Sequence, residues 1–277
     1  MALRFYLGEE RSGWRGLWWG GVAASLALYC RQHYLFLTAG MGLSWLLARA
    51  RERRLTPGDV RDLALIAMPA LLFLPLFVTW GGLTPPDFQQ LHPLRLTAQH
   101  INFLLVFVGL YFAPLAVVAW PAVIRWGRRA AWLILGLPVY AAFRPRYEMV
   151  VQAADSSEQG IIQHGLQILQ GTAGPLLPAL GQLALWANGL VIGAMLLRRQ
   201  PGEQPHRSVT LWCMVAAFAG ILLVSDFVDE RFYALIVPVL MLLLYPRVAG
   251  RRAIIGLWVA GMIVLAAAYS ITKMQGG

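Results

Sequence analysis

Charged residues are scarce in this chain of 277 amino acids. They make up 13% of the sequence, whereas hydrophobic residues make up 58%, and the mean hydropathy is +0.60. Because soluble domains carry about 25% charged residues, this composition excludes an ordinary soluble globular protein. It predicts an all-α, polytopic integral membrane protein, built as a bundle of helices joined by short loops.

Cysteine, lysine and metal-binding patterns are scarce as well. Cys30 and Cys213 fall in different predicted spans at depths about 18 Å apart, which is too far for a disulfide. The five histidines show no metal-ligand spacing, so no metal site is predicted, and the use of a divalent metal stays open. Only Lys273 among the 23 basic residues is a lysine. This arginine-rich usage indicates a GC-rich bacterial genome, and hence the cytoplasmic (inner) membrane.

Familiar soluble-enzyme motifs are also missing. The chain has no Gly-x-Gly-x-x-Gly, no phosphate-binding Gly-Lys-Ser/Thr and no nucleophile elbow, which excludes the common nucleotide-binding and hydrolase classes. The net charge of +10 would favour nucleic-acid binding in a soluble protein. Here the arginines lie between apolar runs and set membrane topology, so no nucleic-acid partner is predicted.

Apolar runs predict about nine membrane spans in a single transmembrane domain over residues 1–277. Three of them are short for a hydrocarbon core of about 30 Å, and prolines inside two of these predict kinked helices. Because no apolar core precedes the first run, it is expected to act as an uncleaved signal anchor. The predicted spans are 14–30, 34–48, 63–79, 102–124, 130–143, 176–197, 208–225, 232–245 and 253–271.

The distribution of arginine predicts which loops are cytoplasmic. With these spans, alternate loops hold seventeen of the 23 basic residues, and the remaining loops hold six. Since basic residues accumulate on the cytoplasmic side, the arginine-poor loops are placed outside. The external segments are then about 80–101, 144–175 and 226–231. Within the second, residues 160–170 separate apolar from polar side chains, which predicts an external amphipathic helix on the membrane surface.

Arg31 lies within an apolar stretch that runs from Trp14 to Ala48. A charged side chain near the middle of a bilayer is costly unless it is paired, so such a residue is a functional candidate. The step from Arg31 through Gln32 to His33 is best accommodated as a polar external turn between two spans. The charge count favours the same two-span arrangement, and we expect a site at this membrane face.

Three short motifs lie at or beside the predicted external turns. In chain order they are Cys30-Arg31-Gln32-His33-Tyr34, then Trp80-Gly81-Gly82-Leu83-Thr84-Pro85-Pro86 with His92 and Asn102 beyond it, and Asp229-Glu230-Arg231-Phe232-Tyr233. Together these motifs resemble the external loops of GT-C superfamily membrane glycosyltransferases, of the PMT-like or α-1,2-glucosyltransferase-like kind. Those enzymes use a polyprenyl-phosphate sugar as donor. The resemblance covers residues 30–233.

The resemblance implies transfer of a lipid-linked sugar to an acceptor on the external face. Such a transfer needs cations on the departing phosphate and a carboxylate base on the acceptor hydroxyl. The candidate donor-binding residues are Arg31, Gln32, His33, Arg95, Arg231 and Tyr233, and the candidate catalytic carboxylates are Asp87, Asp226 and Asp229. For Arg231, an ordinary ion pair with Asp229 or Glu230 is the alternative.

One departure from the family pattern is clear. GT-C enzymes carry an acidic pair in their first external loop, whereas the first predicted external turn here has no acid. The chain is therefore expected to resemble the C-terminal portion of such an enzyme, with a partner chain supplying the N-terminal part, or to use a base elsewhere. Two alternatives stay open, a small-solute transporter or permease and a non-catalytic membrane subunit of a complex.

Overall fold

The computed structural model describes most of the predicted apolar segments and the turns beside them. Regular secondary structure within the described residues is entirely helical, which confirms the all-α class. The described residues are 13–30, 34–52, 56–82, 86, 96, 98–124, 131–143, 162, 170–171, 174, 176–197, 205–224, 230–248 and 252–275.

A helix lies at each of the nine segments that the sequence predicts as apolar spans. The helices are α1 (Gly13–Cys30), α2 (Leu35–Glu52), α3 (Pro57–Trp80), α4 (Gln99–Tyr111), α5 (Ala113–Ile124), α6 (Ala131–Ala142), α7 (Leu176–Leu197), α8 (Pro205–Val224), α9 (Val237–Val248) and α10 (Arg252–Gln275). A helical turn, Glu230–Tyr233, and a 3₁₀ turn, Ala234–Ile236, lead into α9. The predicted amphipathic helix at 160–170 lies outside the described residues except for its positions 162 and 170.

Several helices have the length and composition of membrane spans. Three qualify individually: α3, α7 and residues Arg207–Val224 of α8. Helices α4 and α5 qualify only as a pair, and shorter apolar stretches lie in α2, α9 and α10. Large apolar side chains are exposed on these helices, including Val78 at 70% and Leu197 at 73%. Such exposure suits contact with lipid, and the number of nine spans stays a prediction.

The segment predicted as one span over 102–124 is broken in the structure. Helices α4 and α5 meet at Phe112 with an angle of 87° between them. Pro114 accounts for the break, because it has no amide hydrogen for the carbonyl of Leu110 and its ring would collide with that carbonyl in a continuous helix. As the second residue of α5, the same proline is well tolerated. Pro238, predicted to kink a span, likewise lies at the second position of its helix, α9.

Helices α1, α2, α3 and α8 belong to the first of two compact units. Within it, α2 and α8 run antiparallel, since their contacts step by four residues along each helix in opposite directions. These contacts join the rings of Phe36 and Phe218 (centroids 5.1 Å apart), Gly40 and Met214, and the hydroxyls of Ser44 and Thr210 (2.7 Å). Cys213 is a buried free thiol beside this contact line.

Helices α1 and α3 run parallel in the same unit. A Cβ atom on Gly21 would lie 3.0 Å from the carbonyl oxygen of Leu65, and farther along the Tyr29 hydroxyl donates to the carbonyl of Leu72 at 2.7 Å. The predicted topology gives α1 and α3 the same direction across the membrane and gives α2 and α8 opposite directions. The relative directions within this unit agree with that topology.

A polar cluster around the buried carboxylate of Asp59 joins the end of α2 to the start of α3. The Asp59 carboxylate accepts hydrogen bonds from the amide (2.6 Å) and the hydroxyl (2.8 Å) of Thr56, and it forms an ion pair with Arg49 at 2.8 Å. Asp59 is the third residue of α3, where a carboxylate completes one half of a capping box and complements the helix dipole. The cluster therefore ties the last turn of α2 to the first turn of α3.

In the second unit, two glycines bring α4 and α7 into backbone contact. A Cβ atom on Gly109 would lie 1.8 Å from the carbonyl oxygen of Leu185, and one on Gly189 would lie 2.0 Å from that of Leu105. Lipid tails are as apolar as the helices, so helix association in a membrane depends on close van der Waals packing, which glycine allows. The two glycines therefore allow the backbones of α4 and α7 to approach each other closely.

A side chain of α10 binds the backbone at the break between α4 and α5. The indole N–H of Trp258 donates to the carbonyl of Tyr111, and its ring stacks on Phe112 at a centroid distance of 5.7 Å. A carbonyl released by a helix break needs a new partner in apolar surroundings. Trp258 supplies that partner, and α10 is thereby fixed to the bend.

Arg247 is one of the seventeen basic residues in the loops predicted to be cytoplasmic, and it caps the C-terminal end of α7. Its guanidinium donates to the carbonyls of Met195 and Leu196, both at 2.8 Å, and to the carbonyl of Leu243. Carbonyls in the last turn of a helix lack partners within the helix and favour a cation. The contact brings the C-terminal ends of α7 and α9 together, and the predicted topology requires both ends to be cytoplasmic.

Replacing Gly189 by alanine is expected to destabilise the second unit by about 3 kcal/mol or more, because the added methyl group meets backbone that cannot move aside. Thermal unfolding in detergent, followed by intrinsic fluorescence, measures the change. The matched control is Gly193→Ala in the same helix, where an added Cβ has nothing within 4 Å. Equal melting temperatures for the two variants would show that the α4–α7 contact is not as close as described.

Candidate functional site

The structure describes the side chain of only one predicted site residue, Tyr233. Arg231 lies in the helical turn Glu230–Tyr233, and its side chain lies outside the described residues. The other predicted site residues lie wholly outside them: Arg31, Gln32, His33, Asp87, Arg95, Asp226 and Asp229. Their roles stay predictions. Among the described residues, no three His, Cys, Asp or Glu side chains are grouped so that they could hold a metal ion.

Tyr233 is fully buried against the first half of α4. Its ring lies 4.8 Å from that of Phe103 and 5.7 Å from that of Phe107, measured between centroids, and its relative exposure is 0%. The hydroxyl is 3.1 Å from Nδ1 of His100, and either atom donates depending on the histidine tautomer. These contacts are structural. A direct contact of Tyr233 with sugar or phosphate stays a prediction.

His100 lies in the first turn of α4, where the predicted external segment 80–101 ends. Its partner Tyr233 lies two residues after the predicted external segment 226–231. The hydrogen bond between them therefore connects the end of the first external segment to the end of the third. Both residues belong to the second unit.

Asn102 lies two residues after His100 in the first turn of α4 and binds the end of α6. Its Nδ2 donates to the carbonyls of Phe143 (2.9 Å) and Val139 (3.4 Å), and its Oδ1 accepts from the indole N–H of Trp186 at 3.2 Å. Asn102 is 4% exposed, so its amide is bound on both sides within the protein. Phe143 immediately precedes the predicted external segment 144–175, and Asn102 therefore fixes where that segment begins.

His100, Asn102, Phe143, Trp186 and Tyr233 form what we call the loop junction. The first predicted external segment ends here, the second begins here, and the third runs into it. The first turn of α4 thus binds the flanks of all three segments through two polar side chains. An arrangement of this kind can present residues from distant parts of the sequence at one end of a helical unit.

The sequence motifs indicate the loop junction only weakly. Asn102 is named only beside the second motif of the resemblance, and His100 belongs to none of the three motifs. A signal was present, because polar residues at 99, 100 and 102 open a helix that is otherwise apolar to Tyr111. Polar groups within apolar spans are expensive unless they are bonded, and they mark positions with a specific partner. The partners themselves lie 37 to 133 residues away and are visible only in the fold.

Comparisons with known proteins give no match, since no protein-family model, no curated protein and no solved structure matches the chain. The resemblance to GT-C glycosyltransferases therefore rests on its three motifs alone. The geometry of the loop junction is a separate observation, because it comes from contacts between described residues.

A double-mutant cycle on Asn102 and Trp186 tests whether the loop junction is a bonded unit. Asn102→Leu leaves the indole N–H and the carbonyl of Phe143 without this partner, at a cost of about 1–3 kcal/mol. Combined with Trp186→Phe, the loss should be smaller than the sum by about 0.6 kcal/mol, the average coupling found inside membrane proteins. Unfolding free energies in mixed micelles measure it, with the pair Asn188 and Trp120, bonded at 2.8 Å, as reference. Strict additivity would contradict the bond.

Proposed function

We propose that this chain is a GT-C-type membrane glycosyltransferase, or the C-terminal part of one. It transfers a sugar from a polyprenyl-phosphate-linked donor to an acceptor on the external face of a bacterial inner membrane. The observation that carries the proposal is the loop junction. It binds one flank of each of the predicted external segments 80–101, 144–175 and 226–231. These segments contain five of the nine candidate site residues, Asp87, Arg95, Asp226, Asp229 and Arg231, and a sixth, Tyr233, lies at the junction itself.

The proposed chemistry assigns a cation and a base. Arg231 binds the phosphate of the donor, since a guanidinium fork matches phosphate oxygens and does not lose its charge. Asp229 or Asp226 takes the proton of the acceptor hydroxyl while the hydroxyl oxygen attacks the anomeric carbon of the donor sugar. The bond between that carbon and the phosphate oxygen breaks, and the departing phosphate keeps the electron pair.

The membrane setting supports a lipid-linked donor. At least three described helices are long and apolar enough to cross a bilayer. A polyprenyl chain can then remain in the lipid while its phosphate and sugar reach the external segments. The proposal includes about nine spans, and a partner chain that supplies the acidic loop typical of the family.

Arg231→Ala is expected to lower sugar transfer about 10²–10³-fold, because it removes the main cation from the departing phosphate. Transfer is measured in proteoliposomes with a radiolabelled polyprenyl-phosphate sugar and a panel of acceptors. Arg231→Lys should recover part of the loss, since lysine keeps the charge and loses the fork. The control is Arg207→Ala, an exposed arginine at the start of α8 on the predicted cytoplasmic side.

Other outcomes decide against this function. Arg231→Ala with full transfer would remove the site assignment. Counterflow of a labelled solute without any transfer would identify a transporter. Transfer that needs a second chain, and that stays unchanged when Arg231 is replaced, would identify a non-catalytic subunit.

A further inference from the structure

The hydroxyl of Tyr233 adds a specific bond to a ring that is already held by packing. The ring lies between Phe103 and Phe107 and is completely buried. A tyrosine hydroxyl in such a place needs a hydrogen-bond partner, and the imidazole of His100 is at 3.1 Å. Phenylalanine would fill the same space without this bond. The bond is therefore separable from the packing by substitution.

Tertiary contacts help to hold the helical turn that contains Arg231. The turn, Glu230–Tyr233, runs directly into the 3₁₀ turn Ala234–Ile236 and α9, and its contacts with α4 add to the restraint from that connection. Its described contacts are the buried rings of Phe232, 4% exposed, and Tyr233, together with the bond to His100. Ring packing tolerates small rotations, whereas a hydrogen bond is directional. The bond to His100 therefore adds a directional restraint between this turn and the first turn of α4.

We infer that His100 is a positioning residue, which acts through Tyr233 to hold the turn that carries Arg231. The inference rests on the proposed function, because positioning matters only if Arg231 binds the donor phosphate. His100 would have no contact with the donor. It joins the first turn of α4 to the turn Glu230–Tyr233. A displacement of about 1 Å at a reacting centre can lower a rate about a hundredfold.

Tyr233→Phe should lower kcat/KM for the polyprenyl-phosphate sugar about tenfold, a fraction of the loss that a full 1 Å displacement would give. The melting temperature should fall by less than about 3 °C, because only one hydrogen bond is lost. The matched control is Tyr245→Phe on α9, whose side chain is 61% exposed, and it should leave both values unchanged. Equal kinetics for Tyr233→Phe and Tyr245→Phe would overturn the inference.

A second pair of variants separates positioning from folding. His100→Gln keeps a side chain that can donate to or accept from the Tyr233 hydroxyl, and it should retain more transfer than His100→Leu. If the two variants lose stability and activity in parallel, His100 is a purely structural residue and the inference fails.

A labelling experiment distinguishes failure of the inference from failure of the proposed function. Val228→Cys, in a background with Cys30→Ser and Cys213→Ala, is treated with a maleimide, and its reaction rate is compared in the Tyr233→Phe and Tyr245→Phe variants. A rate changed several-fold only by Tyr233→Phe supports positioning even if no sugar transfer is found, in which case the proposed function alone falls. Unchanged labelling together with unchanged transfer overturns the positioning role and leaves the proposed function standing.

Discussion

The backbone contact between α4 and α7 sets the geometry on which the candidate site depends. Gly109 and Gly189 each face a carbonyl of the opposite helix, so the two backbones lie in close contact at this point. The same pair of helices brings Asn102 to Trp186, and Asn102 in turn holds the end of α6. A Cβ atom at either glycine would meet backbone of the opposite helix, so a larger residue would force the two helices apart there. Packing deep in the unit therefore determines where the external segments are attached.

At two described helix ends and one helix break in the second unit, side chains bind backbone carbonyls. Trp258 binds the carbonyl released at the bend of α4 and α5, Arg247 binds the last carbonyls of α7, and Asn102 binds those at the end of α6. Bonds of this kind are needed wherever helices end or break away from water. They also tie elements that are distant in sequence to one another, and this gives the unit its specific arrangement.

The helices could be predicted from the sequence because apolar runs of this length have few other stable forms in a membrane. The α4–α5 break could have been predicted from Pro114, whose effect on a helix is local. The pairing of Gly109 with α7, or of His100 with Tyr233, could not, since it depends on register between segments 80 to 133 residues apart. For the same reason the motifs predict candidate site residues, whereas the contacts between the flanks of the three predicted external segments are visible only in the fold. The side chain of Arg231 lies outside the described residues, so its predicted role rests on the sequence alone.

The most direct test of the account is the sidedness of the three segments joined at the first turn of α4. Single cysteines are introduced by Gln89→Cys, Ser157→Cys and Val228→Cys in a cysteine-free background and exposed to a membrane-impermeant maleimide in intact cells, with Gln204→Cys as the cytoplasmic control. We expect the three segments to label from outside and the control to label only after the membrane is permeabilised. Labelling of any one segment from the opposite side would contradict a common external site and the topology that supports it.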